Sequence, residues 1–576
     1  MEYEKVFESI SEKKKPKATP ITKLNGTDAL EFLMGTDRYC TYELPEYFDF
    51  SGVLYYAKES IGAKSLDECV NDETSLADFD EVNLDIITNK DGRYGVRPLT
   101  LANPFLYYML ARDICNEDTW QRIQECFNLY RNKHFSACSI PMVKVEDKPE
   151  AFREATSILN WWNSMEQTSI ELSLKYRYMF ITDITNCFGQ INPESIGWAL
   201  AMKDTVCETE DNNQLALNIQ HYLRTMQHSC NIGIPQGSTL FSFLAEIILG
   251  YSDMLFAKDI LEAQINGELP KDLDYQVLRY VDDYRIFCNE RDALDKLSYM
   301  LQGVLERFNF RMNTSKTKIS TTLIADSIKP DKAFYIFNTP IESKQTYKDE
   351  KGCERKERGF DFDGFQKHLL FIYEFSRRFP NAGQLKNQLS AFSQRIEELL
   401  SKIKWTVEYL NIDDQGALTI TKGPVTNEYM HLWENISTMV AISVQIAADN
   451  VGVAHYALKV ASQMLTDMPE SEIEKKNEVI ELIYQKLRHQ PNSAFLQVWI
   501  QNITHTTDDW SQSDRYDMPL CKLVANRSVK LWNNSWLKAE IADNIPIESI
   551  INRETLEKTG QVITFKEKRL YDEMSY

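Results

Sequence analysis

The sequence predicts an α+β protein, in which helices surround a small antiparallel sheet and an all-helical C-terminal portion follows. Three observations predict it. Arg177–Asp183 (RYMFITD) and Gln276–Cys288 (QVLRYVDDYRIFC) are rich in β-branched and aromatic residues, and the second reads as two short strands around a tight Asp-Asp turn. Between them, Leu240–Ala257 is apolar enough to be a buried helix. Far downstream, Leu385, Leu389, Phe392, Ile396, Leu399 and Ile403 follow the 4-3-4-3-4 spacing of an amphipathic helix.

Taken in order, residues 1 to about 90 read as an extension of mixed character. Its basic run Lys13–Lys17, broken by Pro16 and followed by Pro20, fits a solvated arm better than a nucleic-acid contact. Pro98–Cys115 opens with a proline and carries Phe105, Tyr108, Met109 and Ile114 at helical spacing. The strand over 177–183, the helix and the hairpin follow. Residues 331–363 are highly charged with few apolar anchors, notably KDEKGCERKER at 348–358, and read as a linker or surface loop. From 364 to 576 the chain reads as helical, with runs near 433–449, 453–467, 472–488 and 493–503 that hint at stacked helix pairs, although no clean repeat is present. The expected divisions are therefore 1–90, 91–330, 331–363 and 364–576.

At 576 residues the chain exceeds one ordinary domain. Its 85 acidic against 64 basic residues give a net charge of −21, the wrong sign for a protein that coats nucleic acid, so any phosphate-binding groove must be local. The 11 cysteines are irregularly spaced with no C-x-x-C, which suits free thiols in a reducing compartment and excludes a zinc cluster of ordinary spacing. The N-terminus lacks the apolar core of a signal peptide, and Leu240–Ala257, interrupted by Glu246 and Asp253, reads as too polar and too short to span a bilayer. The expectation is a cytoplasmic protein with no membrane partner.

Three segments carry chemistry: Asp183-Ile-Thr-Asn-Cys-Phe188 at a strand end, Gly233-Ile-Pro-Gln-Gly-Ser-Thr-Leu240 as a glycine-bracketed turn opening a helix, and Tyr280-Val-Asp-Asp283 at a hairpin tip. Phosphoryl transfer to a growing strand needs charge stabilised on both the attacking and the leaving oxygen, which two metals about 3.5–4 Å apart can supply. Magnesium favours carboxylate and phosphate oxygens. A strand end bearing Asp183 beside a hairpin bearing Asp282 and Asp283 would bring carboxylates from 99 positions apart to one point. Each signal alone is weak, because Asp favours turns and Pro-Gln-Gly is itself a turn. Their order, each in a fitting local structure, is what argues against coincidence.

These segments resemble the palm motifs of reverse transcriptases: D-x-x-x-x-[FY], then [LI]-P-Q-G, then Y-x-D-D, then Asn-x-x-Lys-Thr, here Asn313–Thr317. The resemblance covers about residues 90–325 and is best to the bacterial abortive-infection and defence-associated branch. Arg97-Pro98 with the helix after it is similar to the fingers entry of that branch, and the helical C-terminal portion is similar to the domain that replaces its thumb. One departure is Ser238-Thr239, where most relatives have Ser-Pro.

The resemblance implies right-hand-like fingers and palm over 91–330, with fingers beginning in the preceding extension and a helical-repeat-like domain after 363. It implies Asp183 and Asp282 as main metal ligands, the Ile184 carbonyl as a further one, and Asp283 in support, with Mg2+ or Mn2+ as cofactor. Phe188 would lie under the incoming sugar and exclude a 2′-hydroxyl; otherwise it is a core aromatic. Gln236 and Gly237 would let backbone approach nucleotide and template. Lys316 would neutralise or protonate the pyrophosphate leaving group, or else be a solvated loop lysine. Arg97 would touch the triphosphate, or else form a structural ion pair.

The partners implied are deoxynucleoside triphosphates, a nucleic acid (a noncoding RNA or a DNA product) and further copies of the chain. Synthesis would be RNA-directed or template-independent and serve antiphage defence. Some relatives extend a protein hydroxyl, and Tyr571 and Tyr576 lie in the tail, but abundance of tyrosine identifies no primer. An RNA-dependent RNA polymerase would usually carry Gly before Asp-Asp and a smaller residue at 188. A catalytically idle palm scaffold that binds a partner protein or RNA is the non-enzymatic alternative.

Overall fold

The computed structural model describes residues 18–565, apart from 72–80, 90–94, 138, 145–164, 167, 174, 202–209, 228–229, 231, 332–333, 335–343, 349–353, 359–361, 406–407, 413–417, 423–426, 467–472, 489, 506–514 and 543. The Lys13–Lys17 run and the tail tyrosines Tyr571 and Tyr576 lie outside the described residues.

Strand β1 (Ala18–Pro20) pairs with β5 (Met142–Lys144), and α1 (Ser51–Ile61) buries Val53, Leu54, Ala57 and Ile61 at helical spacing. Strands β2 (Leu84–Asn89) and β3 (Val96–Leu101) form an antiparallel ribbon that sets Thr88 opposite Arg97 and Ile87 opposite Pro98. The helix expected from Pro98 therefore begins later, as α2 (Pro104–Ile114). The Asn103 side chain accepts from the N–H groups of Phe105 and Leu106, and Pro104 fills the first turn, where its missing N–H is harmless. Helix α3 (Glu117–Tyr130) follows, capped by Asn116.

The central sheet has five strands in the order β4-β7-β8-β6-β9. These are β4 (Phe135–Ala137), β6 (Tyr178–Asp183), β7 (Tyr275–Tyr280), β8 (Asp283–Cys288) and β9 (Lys318–Ser320). All neighbours are antiparallel except β4 and β7. Alternation along β8 sends Tyr284, Ile286 and Cys288 into the main core, and Phe287 into a smaller one with Met179, Leu278, Met165, Tyr176 and Leu323. Both faces are thus covered, which explains why these strands read as continuous apolar runs.

On the main-core side lie α4 (Pro193–Ala201), α5 (Glu210–Met226), α6 (Thr239–Ile265) and α7 (Arg291–Arg307), with α7 packed on β6 and β8. Helix α6 runs 27 residues, so length does not disqualify it from crossing a membrane as the sequence had suggested. Its most apolar stretch is 83% buried inside this protein, as a core helix would be.

Two expectations need correction beyond residue 330. The charged stretch 331–363 contains an antiparallel ribbon of β10 (Lys344–Lys348) and β11 (Glu354–Arg358), because a hairpin can close on backbone hydrogen bonds without an apolar run. The C-terminal part is not all-helical either, since β12 (Glu408–Ile412) pairs with β13 (Leu418–Lys422). Their β-branched Ile and Thr residues carry the strand signal that helical periodicity on both sides obscured.

Otherwise the region is helical: α8 (Phe362–Arg378), α9 (Gly383–Trp405), α10 (Asn427–Asp449), α11 (Ala454–Thr466), α12 (Ile473–Arg488) and α13 (Ala494–Thr504). Leu385, Leu389, Phe392 and Ile396 are buried, as the spacing required. These helices stack on one another, and α13 also packs on β2. Residues 18–103 and the C-terminal portion share one apolar core with the central domain. Trp532 Nε1 donates to the Leu101 carbonyl at 3.1 Å, Asn103 to Asn534 at 2.7 Å, and Asn492 to Asn89 at 2.7 Å.

Candidate active site

Strand β6 ends at Asp183 and β8 begins at Asp283, and the register places these two residues directly opposite each other. Opposed residues on neighbouring strands have Cα atoms about 4.5–5.5 Å apart and side chains on the same face. The hairpin turn is Val281-Asp282 rather than Asp282-Asp283, because Asp283 already pairs with Tyr280. The Ile184 N–H donates to the Asp282 carbonyl at 3.0 Å, which ties the residue after Asp183 to the hairpin tip. Since N–H and C=O of one extended residue point the same way, the Ile184 carbonyl faces that tip as well. The carboxylate-bearing positions expected to converge therefore do so through the sheet.

Asp183 is only 6% exposed. Its Oδ2 accepts from Lys316 Nζ at 2.6 Å, whereas Oδ1 is buried with no hydrogen-bond donor among the described residues. Leaving a buried carboxylate oxygen unsatisfied costs about 1–3 kcal/mol or more. Lys316 is placed by its own turn: Asn313 N–H donates to the Asp183 carbonyl at 2.8 Å, and Thr317 Oγ1 bonds both Asn313 O and Thr182 Oγ1 at 2.7 Å. Lys316 is thus no free loop lysine, although half its side chain stays exposed.

Asp282 and Asp283 are half-buried. Lys329 Nζ lies 3.9 Å from Asp283, and Arg285 is buried on the same sheet face. Burial pushes the Arg285 guanidinium below its usual range, against the opposing pull of Asp283 and Glu166.

Among the described residues, no three Asp, Glu, His or Cys side chains close on a common point as a ready-made metal cage. The three aspartates form an open, partial donor set instead. That suits a hard cation such as magnesium, which keeps waters and binds through one or two carboxylates plus substrate phosphate. The unsatisfied Asp183 Oδ1 and the ammonium already drawn to Oδ2 show that this point attracts positive charge. Asp183, Asp282 and the Ile184 carbonyl fit such an ion.

Val281 has φ of 51°, a left-handed conformation at the position that glycine holds in type II′ hairpin turns. For a β-branched residue this is an outlier costing about 1–3 kcal/mol, and such strain concentrates at functional sites.

Phe188 sits half-buried in the short helix Cys187–Gln190, entered through Asn186 at φ 48°. Its carbonyl accepts from Ile234 N–H at 2.9 Å, so the Gly233–Ser238 turn is fastened to the helix carrying Phe188. The Gln236 carbonyl accepts from Thr100 N–H at 2.6 Å, and the Gly237 carbonyl from Thr41 N–H at 2.9 Å. Gly237 has φ of 137°, and a Cβ there would lie 2.9 Å from the Thr100 carbonyl oxygen. The glycine permits close approach of the turn to β3. Ser238 accepts from Phe241 N–H and caps α6, with Thr239 as its first residue. Arg97, half-buried on β3, has no hydrogen-bond or ion-pair partner among the described residues.

Sequence reasoning missed Arg279, which is 1% exposed and directly precedes the hairpin motif, and it took Glu246 and Asp253 as mere interruptions of an apolar helix. Both carboxylates face Arg279. The signal was available: two acidic residues seven apart lie on one face of a buried helix and require a buried cation.

A sheet whose paired strand ends present acidic residues beside a lysine is the arrangement expected of a nucleotidyltransferase palm. In agreement, the family model "Reverse transcriptase (RNA-dependent DNA polymerase)" matches residues 116–366, so the chain carries a reverse-transcriptase domain, a nucleotidyltransferase. Solved structures with similarity include telomerase from Candida Tropicalis with a TWJ fragment of telomeric RNA. It is 14% identical with TM-score 0.26, and the match covers 71% of this chain and 65% of that one. Telomerase from Candida albicans with such a fragment is 11% identical with TM-score 0.27, covering 74% of this chain and 67% of that one. Apo telomerase from Candida Tropicalis is 13% identical with TM-score 0.27, covering 74% and 73%. The chain thus spans about two thirds of the length of these proteins, and likeness at this level settles neither substrate nor partner. A comparison with curated proteins returns no significant match.

Proposed function

We propose that the protein is a DNA polymerase, RNA-directed or template-independent, that joins deoxynucleotides by two-metal phosphoryl transfer and acts in antiphage defence. The observation that carries the polymerase reading is the buried Asp183, with one oxygen lacking a donor, directly opposite Asp283 and tied through Ile184 to Asp282. Bound there, Mg2+ or Mn2+ supplies Lewis-acid stabilisation of charge on the reacting oxygens. Asp183 and Asp282 would hold it, the Ile184 carbonyl would assist, and Asp283 would support the primer end. Lys316, held at Asp183 Oδ2, is positioned to keep a proton near the leaving pyrophosphate. Phe188 and the turn fastened to it bound the sugar pocket, and Arg97 offers an uncommitted guanidinium for phosphate. What supports the defence role is the motif set with Arg97-Pro98 and the helical C-terminal part, as in the family branch it resembles.

The test is nucleotide incorporation by the purified full chain with Mg2+ or Mn2+, on RNA template, DNA template and none, with sequencing of nucleic acid that copurifies. Deoxynucleotide incorporation that disappears in Asp282→Ala supports the reading. No incorporation under any of these conditions returns the palm to the status of a scaffold. Cells carrying the gene should restrict phage plating, and equal plating by wild type and Asp282→Ala removes the defence role.

A further inference from the structure

Beneath the hairpin tip lies a closed set of charges. Arg279 Nε donates to Asp253 Oδ2 at 2.7 Å, and its Nη1 donates to Glu246 Oε1 at 3.1 Å and Oε2 at 3.2 Å. Nη2 also reaches Glu246 Oε2 at 3.2 Å. Tyr284 donates its hydroxyl to Asp253 Oδ1 at 3.0 Å. Glu246 and Asp253 are 1% and 4% exposed, so one cation faces two carboxyl groups away from solvent. Burial and the neighbouring Glu246 push the Asp253 carboxyl above its ordinary range, while Arg279 opposes this.

The set touches the strained residue at both of its backbone polar groups. Arg279 Nη1 donates to the Val281 carbonyl at 3.3 Å. The Val281 N–H donates to Ser139 Oγ at 2.9 Å, and Ser139 donates to Glu246 Oε1 at 2.6 Å. Nothing in Val281 itself favours a left-handed φ, so the surroundings must impose it.

We propose that Arg279, with Glu246, Asp253 and Ser139, is a positioning element: it fixes Val281 in its left-handed conformation and thereby aims Asp282 at Asp183. None of the four need touch substrate. The forked guanidinium matters more than its charge, because an ammonium cannot bond Asp253, both Glu246 oxygens and a carbonyl at once.

The proposal rests on the polymerase reading only for its catalytic consequence, so two measurements separate them. The first is hydrogen exchange of the full chain by mass spectrometry. Arg279→Lys should speed exchange at the hairpin tip, residues 280–283, at least tenfold, with the amides of β6 unchanged. Ser139→Ala, a half-buried site that tolerates change more readily, should do the same if Arg279→Lys fails to fold. The second is steady-state incorporation. Arg279→Lys should lower kcat about tenfold with the deoxynucleotide KM within twofold. Because glycine takes the left-handed conformation freely, the kcat penalty should shrink below threefold in a Val281→Gly background. Unchanged tip exchange in both variants overturns the proposal even if the wild type makes no product. A kcat penalty undiminished by Val281→Gly overturns it as well.

Discussion

Replacing Gly237 with alanine separates two roles that the residue could play. In the structure Gly237 holds φ of 137°, and the added Cβ would stand 2.9 Å from the Thr100 carbonyl oxygen, 3.3 Å from Thr100 N and 3.2 Å from the Tyr42 ring. The left-handed backbone costs a non-glycine residue about 1–3 kcal/mol. The contact with a backbone oxygen of a paired strand cannot be relieved by turning a side chain, and overpacking of this kind costs about 1–3 kcal/mol more. Relief requires the turn to move off β3, which stretches the 2.6 Å bond from Thr100 N–H to the Gln236 carbonyl. Taking about 3 kcal/mol, and about 2–4 °C per kcal/mol for a domain of this size, the melting temperature should fall by roughly 6–12 °C. The turn carries Gln236, so the deoxynucleotide KM should rise as well. The assay pairs a thermal melt with a deoxynucleotide titration of the same preparation. A variant that melts with the wild type and shows only a raised KM would refute the packing argument, and would mean that the glycine serves nucleotide approach alone.

Asp183→Asn and Asp282→Asn should each lower incorporation by at least about a thousandfold, read by labelled deoxynucleotide, since each removes a carboxylate proposed to hold the metal ion at the reacting phosphate. The thermal melt of Asp183→Asn should not fall far, because loss of the pair with half-exposed Lys316 is offset by removing a buried charge whose Oδ1 lacks a donor among the described residues. Phe188→Val should lower the preference for deoxy- over ribonucleotides by roughly ten- to a hundredfold, measured as the ratio of kcat/KM values. An unchanged ratio assigns the ring to the core. Burial, with Arg395 nearby, pushes the His368 imidazole down to about 4 from an ordinary 6.5. A folded value below the unfolded one means that the stability is fully present above about pH 6.5 and is lost as pH falls toward 4, about 3 kcal/mol across that window. His368→Phe, which keeps a ring against Phe392, should flatten denaturation midpoints measured between those pH values.

The C-terminal helices are built into the polymerase domain. Glu43 bonds His455 and Tyr456 of α11, and two residues before it Thr41 holds the Gly237 carbonyl. Asn492 and Gly452 both lie against Asn89 at the end of β2. The turn carrying Gln236 and Gly237, through Thr41 and Glu43, and the ribbon bearing Arg97, through Asn89, are therefore both backed by residues of the C-terminal portion.

What could be read from the sequence follows the range of the interactions involved. The strand before Asp183, the hairpin around Asp282 and the stripe from Leu385 to Ile396 are set by local periodicity, and the structure holds all three. The convergence of Asp183 with the hairpin spans 99 positions, yet it was legible because motif order stood in for distance. Where neither aid existed the reading failed. Pro98 looked like a helix start, but pairing with Ile87 across the ribbon outweighed the local signal and left the helix to Pro104. Charged residues at 344–348 and 354–358 looked like linker because hairpin register is written in backbone bonds that composition does not show. Glu246 and Asp253 looked like flaws in an apolar helix, and they are its most informative residues. A buried carboxylate demands a cation, and the one that answers, Arg279, stands immediately before the hairpin motif. The buried charge is costly, and here its cation bonds the turn that carries Asp282.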